Sequence, residues 1–162
     1  LFVGGYYYPN VNGFRWFIKN VTPLIKINYE VTLVGNRMDL LKDEFSDNSN
    51  VKVLGRVEDL STYYENADVV IGPIFEGAGM KVKTAEALSY GKKFIGTDES
   101  LIGYKELAGD LLGKSIIICN SEVEFARAIN EHEFGNGFSL DNYEFFLKNY
   151  SIEAAACKLK TL

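Results

Sequence analysis

The 162-residue chain is poor in several residue types, and each shortage narrows what it can be. One histidine, His132, and two cysteines, Cys119 and Cys157, offer neither metal-ligand spacing nor the cysteine density of a secreted disulfide scaffold, so no metal site is expected and a reducing cytoplasm is the expected setting. No apolar run approaches the roughly 20 residues that a membrane helix needs, so no transmembrane segment is expected. Basic residues are in the minority, 17 Lys and Arg against 22 Asp and Glu, for a formal net charge of −5. That balance argues against nucleic acid as the main partner, because phosphate-backbone binding is driven by clustered Lys and Arg releasing counterions. A small anionic ligand remains open if positive groups gather locally. The sequence also lacks an initiating Met and starts as Leu1-Phe2-Val3-Gly4-Gly5, already a strand running into a glycine turn, so a fragment whose missing part lies upstream is expected.

A chain of this length forms one domain and buries roughly 70% of the surface its unfolded form exposes. Short β-branched or apolar runs alternate with longer helical patterns, the pattern of βαβ units and a parallel sheet. Six strands are predicted, at residues 1–4, 31–35, 51–55, 69–74, 93–96 and 115–119, each apolar enough to be buried on both faces. Helices are predicted at 11–25, closed by Pro23, and at 39–45, 60–66, 80–90, 101–107 and 122–131, with two more at 140–149 and 152–159 ending the chain. Asp59 and Ser121 sit where N-caps belong, Ser121 three residues before Glu124 as in a capping box. The expected fold is therefore α/β: a doubly wound, Rossmann-like, six-stranded parallel sheet with C-terminal helices. The usual strand order sets the first and fourth strands side by side, with a crevice beyond their carboxyl ends where ligands bind.

Two loops reach that crevice. The first, residues 4–13, joins Gly4-Gly5 to Tyr6-Tyr7-Tyr8-Pro9-Asn10 and a helix start. Glycine lets backbone N–H groups approach a phosphate, and a helix N-terminus carries about half a positive charge to hold it. A tight turn with three tyrosines packed on a neighbour serves the same residues equally well. Gly-x-Gly-x-x-Gly is absent and no Walker Lys-Ser/Thr follows, which disfavours a nicotinamide enzyme or a P-loop ATPase. Arg15 lies one to two turns into the helix, within a long side chain's reach of an anion.

The second loop, residues 73–88, places Gly77 and Gly79 ahead of a helix, with Lys81 and Lys83 in its first turn. Cations there oppose the helix dipole at a cost of a few tenths of a kcal/mol each, unless an anion sits between them and the N–H groups. Glu86, three residues past Lys83, shares its face, while Lys81 is turned away. Glu86 is either a ligand contact or a surface glutamate paired with Lys83, an interaction worth about 0.2 to 0.5 kcal/mol.

Together these residues resemble the C-terminal domain of retaining glycosyltransferases of the GT-B fold, family 4 (glycosyl transferases group 1), over nearly the whole chain and in order. Phe2-Val3-Gly4-Gly5 with Pro9-Asn10-Val11-Asn12-Gly13-Phe14-Arg15-Trp16-Phe17 is similar to the family's opening strand, loop and helix, and Val34-Gly35 to its second strand end. Val53-Leu54-Gly55-Arg56-Val57 and Ala67-Asp68-Val69 match the family's third strand end and the start of its fourth strand. Gly79-Met80-Lys81-Val82-Lys83-Thr84-Ala85-Glu86-Ala87-Leu88 resembles its signature helix.

The resemblance implies one half of a GT-B fold that binds a nucleotide-sugar of UDP or GDP type without a divalent metal or other cofactor, the acceptor-binding N-terminal domain being absent. It implies that Glu86 binds the ribose hydroxyls, and that Gly4, Gly5, Asn10, Arg15, Gly79, Met80 and Lys83 face the donor diphosphate. Arg56 and Val57 would face the base, and Lys81 would be the catalytic cation that stabilises the leaving diphosphate. In the family an acid eight residues before the glutamate helps hold the donor sugar. Here that position is Ala78, with Glu76 displaced by two residues. His132 is expected to take no part. The resemblance further implies polysaccharide or glycoconjugate assembly in the cytoplasm, with the full-length protein at the inner face of the membrane. Two other classes are a nucleotide-sugar epimerase, which would carry its own acid and base upstream, and an interaction module that has lost the donor site.

Overall fold

Val- and Ile-rich runs form six short parallel strands: β1 (Phe2–Val3), β2 (Val31–Val34), β3 (Val51–Val53), β4 (Val70–Gly72), β5 (Phe94–Gly96) and β6 (Ile116–Ile118). The computed structural model describes residues 1–131, 133, 135 and 137–160, Lys158 by its backbone alone. His132 lies outside the described residues. Every predicted strand is present within its predicted range. The predicted single six-stranded sheet, however, is two three-stranded ladders, β1-β2-β3 and β4-β5-β6. With only two residues, both registered to β2, β1 is too short to carry a full ladder on its other edge. It meets β4 through two hydrogen bonds, Ile71 N–H to Leu1 O and the Leu1 amino group to Val69 O, each 2.9 Å.

Side-chain alternation makes the two ladders act as one layer. Successive strand residues point to opposite faces. Phe2, Leu33, Ile71 and Ile95 enter one hydrophobic core, and Val3, Val70, Phe94 and Ile116 enter the other. Helices α1 (Tyr8–Trp16) and α5 (Glu122–Glu131) cover the first face through Phe14 and Phe125. The second is covered by α2 (Ser61–Asn66), α3 (Val82–Ser89), α4 (Lys105–Ala108) and α6 (Leu140–Tyr150), through Tyr64, Leu88, Ala108 and Phe145. A last helix, α7 (Ile152–Lys160), follows α6. The expectation that every strand is buried on both faces fails at the rim, where β3 leaves Lys52 in water.

The helices depart from the predicted bounds for local reasons. The first runs from Tyr8 and ends in a wide π turn (Phe17–Val21) and a 3₁₀ turn (Thr22–Leu24) around Pro23. Proline has no N–H to donate; the Thr22 N–H bonds Phe17 O and its hydroxyl bonds Ile18 O at 2.6 Å. The predicted helix at 39–45 is a 3₁₀ turn, Met38–Leu41, whose two buried residues, Met38 and Leu41, are spaced by three as that helix requires. The one at 101–107 is divided by Gly103, held at φ +82, into a 3₁₀ turn (Glu99–Leu101) and α4. The capping box forms: Ser121 Oγ accepts the Glu124 N–H at 3.3 Å, and Glu124 Oε2 accepts the Ser121 N–H at 3.1 Å. At α2 the N-cap position is Leu60, while Asp59 accepts the Ser61 N–H at 2.8 Å.

Candidate functional site

The carboxyl ends of β1 and β4 open into a cavity of about 570 Å³ whose walls include Gly4, Asn10, Gly77, Lys81, Lys83 and Glu86. Two other clefts, about 360 Å³ beside β6 and about 680 Å³ at the amino ends of β1 and β2, lack this convergence of glycine backbone, lysine and glutamate. In α/β sheets of this kind ligands bind at the carboxyl ends where the strand order reverses.

The floor is made by the first loop. Gly4 N–H bonds Val34 O at 2.9 Å and Tyr6 N–H bonds Asn36 O at 2.8 Å, so the loop follows the end of β2. Gly35 makes that approach possible: at φ +155, a Cβ there would lie 1.8 Å from Gly4 O. Asn10, in the first turn of α1, donates to Gly5 O at 2.9 Å and accepts from Lys83 Nζ. A Cβ at Gly4 would stand 2.9 Å from Asn10 Nδ2 and 3.0 Å from Lys83 Nζ, so glycine keeps this corner open.

The opposite wall is α3, which starts at Val82 rather than at Met80. Gly79 has φ +67, and Lys81, in extended conformation, is the N-cap. The N–H groups of Val82 and Lys83, first in the helix, have no partner within it. The first turn holds no acidic residue. Lys83 reaches inward, its ammonium 4.6 Å from the centre of the Phe2 ring and bonded to Asn10. Burial, and after it the Lys81 charge, push its pKa down to about 8, with Glu86 partly offsetting both. Among the described residues Lys83 forms no ion pair.

Lys81 differs. Its ammonium is 2.8 Å from both Glu99 Oε1 and Gly79 O. The misfit of a cation at a helix start is thus met from within the protein at Lys81 and left open at Lys83. Glu86 is not the surface partner of Lys83; it is half-buried, and its Oε2 accepts the Tyr64 hydroxyl at 3.1 Å.

Gly4, Gly5, Asn10, Met80, Lys81, Lys83 and Glu86 are therefore brought together, with Gly79 between the lining residues Ala78 and Met80. Three expected residues are elsewhere. Arg15, five residues after Asn10 and so about 140° round the helix, forms a two-point pair with Glu44 at 2.7 and 2.6 Å. Arg56 and Val57 follow β3, two strands away from β1; Arg56 is exposed, and the nearby residue that lines the cavity is Leu60. The three tyrosines of the first loop do not pack away: Tyr6, Tyr7 and Tyr8 are all exposed, and Tyr7 lines the cavity. Tyr64, Glu99 and Asn36 join the site or its supports without having been expected; only the strand end Val34-Gly35 gave a signal, for Asn36. Among the described residues no group of three or more His, Cys, Asp or Glu stands close enough to hold a metal, and no helix is long and apolar enough to cross a membrane.

The family model described as "Glycosyl transferases group 1" matches residues 1–132. A Klebsiella pneumoniae protein described as "Uncharacterized 44.6 kDa protein in cps region" is 30% identical over 141 residues, 80% of this chain and 35% of its own. Among solved structures, the pneumococcal O-GlcNAc transferase GtfA in complex with UDP and GlcNAc has a TM-score of 0.67 at 15% identity, over 99% of this chain and 34% of that one. The chain spans about a third of the length of both. At that identity the structural likeness carries the fold, the α/β half of a GT-B architecture. With the family model covering most of the sequence, the chain belongs to the glycosyl transferases group 1 family.

Proposed function

We propose that this chain is the nucleotide-sugar donor-binding domain of a retaining glycosyltransferase, whose acceptor-binding domain lies in the rest of the full-length protein. The observation that carries this reading is the pairing on α3 of Lys83, a half-buried ammonium with no ion-pair partner among the described residues, and Glu86, a carboxylate held at the cavity wall, opposite Gly4 and Gly5. The diphosphate sits against the Val82 and Lys83 N–H groups, the Lys83 ammonium and the Gly4–Gly5 backbone. There the helix dipole and the cation stabilise the charge that develops as the sugar–phosphate bond breaks. No divalent metal is needed for that task.

Glu86 accepts hydrogen bonds from the ribose hydroxyls. The base extends toward Asn36 and Leu60, which line the cavity where Arg56 and Val57 do not. Lys81 adds a second cation at the outer edge once an anion competes with Glu99. Glu76, which also lines the cavity, is the carboxylate available to the donor sugar in place of one at Ala78. The relative in a cps region and the UDP and GlcNAc in GtfA support a UDP-type donor and polysaccharide assembly. Two cysteines in 162 residues, far from the density of a secreted disulfide scaffold, suit the cytoplasm.

Calorimetric titration of UDP and GDP into the full-length protein tests the reading. One of the two is expected to bind, and Glu86→Ala is expected to weaken it by about 1.5 to 3 kcal/mol, the loss of a charged hydrogen bond. Absence of binding at millimolar nucleotide would overturn the assignment.

A further inference from the structure

Glu86 does not orient itself. A glutamate side chain has several rotamers, and fixing one costs entropy. Here the only side-chain partner of its carboxylate among the described residues is the Tyr64 hydroxyl, 3.1 Å from Oε2, while Oε1 makes no bond. Tyr64 itself is immobile. It is fully buried, comes from α2 on the segment leading into β4, and stacks on Tyr90 with ring centres 4.7 Å apart and planes 9° from parallel. Burial and the neighbouring carboxylate hold its hydroxyl well above the usual tyrosine range, so it keeps its proton and donates. A carboxylate has acceptor sites on both oxygens. Pinning one of them on the buried side turns the other toward the cavity that Glu86 lines.

We infer that Tyr64 is a positioning residue for Glu86, so that the contact of Glu86 with the ribose diol depends on the Tyr64 hydroxyl. The inference rests on the donor-site reading above and adds to it a residue outside the cavity wall through which the Glu86–ribose contact is set. The hydroxyl serves this role because it is the single polar atom of Tyr64's side chain and its bond goes to the one acid on α3 that faces the cavity.

The test compares UDP and GDP with 2′,3′-dideoxy-UDP and 2′,3′-dideoxy-GDP in calorimetry on the full-length protein, in the wild type, Tyr64→Phe, Glu86→Ala and the double variant. The wild type is expected to prefer the ribonucleotide. Tyr64→Phe is expected to weaken that ribonucleotide about tenfold, to leave the dideoxy form unchanged, and to add nothing in the Glu86→Ala background. Tyr90→Leu, which keeps the hydroxyl and removes the ring that holds it, is expected to give the same selective loss at smaller size. Equal weakening of ribo and dideoxy forms would show Tyr64 to be a structural prop only and overturn the inference, as would an unchanged ribonucleotide affinity. If the wild type binds none of the four, the donor-site reading fails and this inference with it; if it binds but shows no preference, only the inference fails.

Discussion

The two lysines at the start of α3 stand two residues apart in sequence and in different electrostatic situations. At the rim, Lys81 is N-cap residue, carbonyl acceptor and ion-pair partner at once: Tyr104 donates its hydroxyl to Lys81 O at 3.0 Å, and Glu99 takes the ammonium. On the floor, Lys83 lies over Phe2 with one amide oxygen as its partner. A charge already paired within the protein gains little from a ligand, because the ligand must displace the partner it has. A half-buried cation that, among the described residues, is in no ion pair gains more from the anion that reaches it. The comparison points to Lys83, rather than the expected Lys81, as the cation open to an anion.

The largest effect separates them directly. Lys83→Met, which keeps the length of the side chain and removes its charge, is expected to weaken UDP or GDP binding by about 1.5 to 3 kcal/mol. Lys81→Met is expected to cost under about 1 kcal/mol of that binding, because its ammonium is already held by Glu99. Titration of both variants measures the difference, and the opposite order would break the comparison between rim and floor.

A second, intermediate effect is pH dependence. With its pKa near 8, Lys83 is charged below that value and neutral above it. Nucleoside-diphosphate affinity should fall as pH rises through about 8, and Lys83→Met should not show that fall. Stability carries the complementary sign. The unfolded lysine keeps its ordinary value of 10.5, so between pH 8 and 10.5 the unfolded chain binds more protons than the folded one. Lys83 therefore makes stability rise with pH across that window and contributes no slope below it. Urea unfolding of the wild type and Lys83→Met at pH 7.5 and pH 10 measures this; equal differences at the two pH values would show that Lys83 keeps an ordinary pKa.

The smallest effect is at the rim. Glu99→Gln removes the carboxylate that holds Lys81 and is expected to raise nucleoside-diphosphate affinity by at most about 1 kcal/mol. A loss of affinity in that variant would mean that Glu99 presents Lys81 to the ligand rather than occupying it.

What could be read in advance follows the range of the forces involved. Strand positions were legible because buried parallel strands need unbroken apolar runs, and Val70–Gly72 and Phe94–Gly96 have them. The bounds of α5 were legible because Ser121 and Glu124 satisfy each other three residues apart. The Gly103 break between the 3₁₀ turn and α4 was not. There the left-handed conformation is coupled to a side chain from another loop: a Cβ on Gly103 would lie 2.4 Å from Met80 Cγ. Arg15 was misplaced for a similar reason. Distance along the helix put it within reach of an anion, but its angle about the helix axis, and Glu44 twenty-nine residues away, took it elsewhere.

The sequence by itself determined the α/β class, the six strands, the glycine corner at Gly4-Gly5 and the placing of Lys83 and Glu86 on one helix face, because each is set by spacing within a few residues. Only the tertiary structure decided which lysine is already paired, which residue meets the Glu86 carboxylate, and that β1 and β4 meet through two hydrogen bonds rather than a ladder. Those outcomes depend on Glu99, Tyr64 and β1 finding partners between 18 and 70 residues distant, and no local pattern encodes a partner that only the fold brings near.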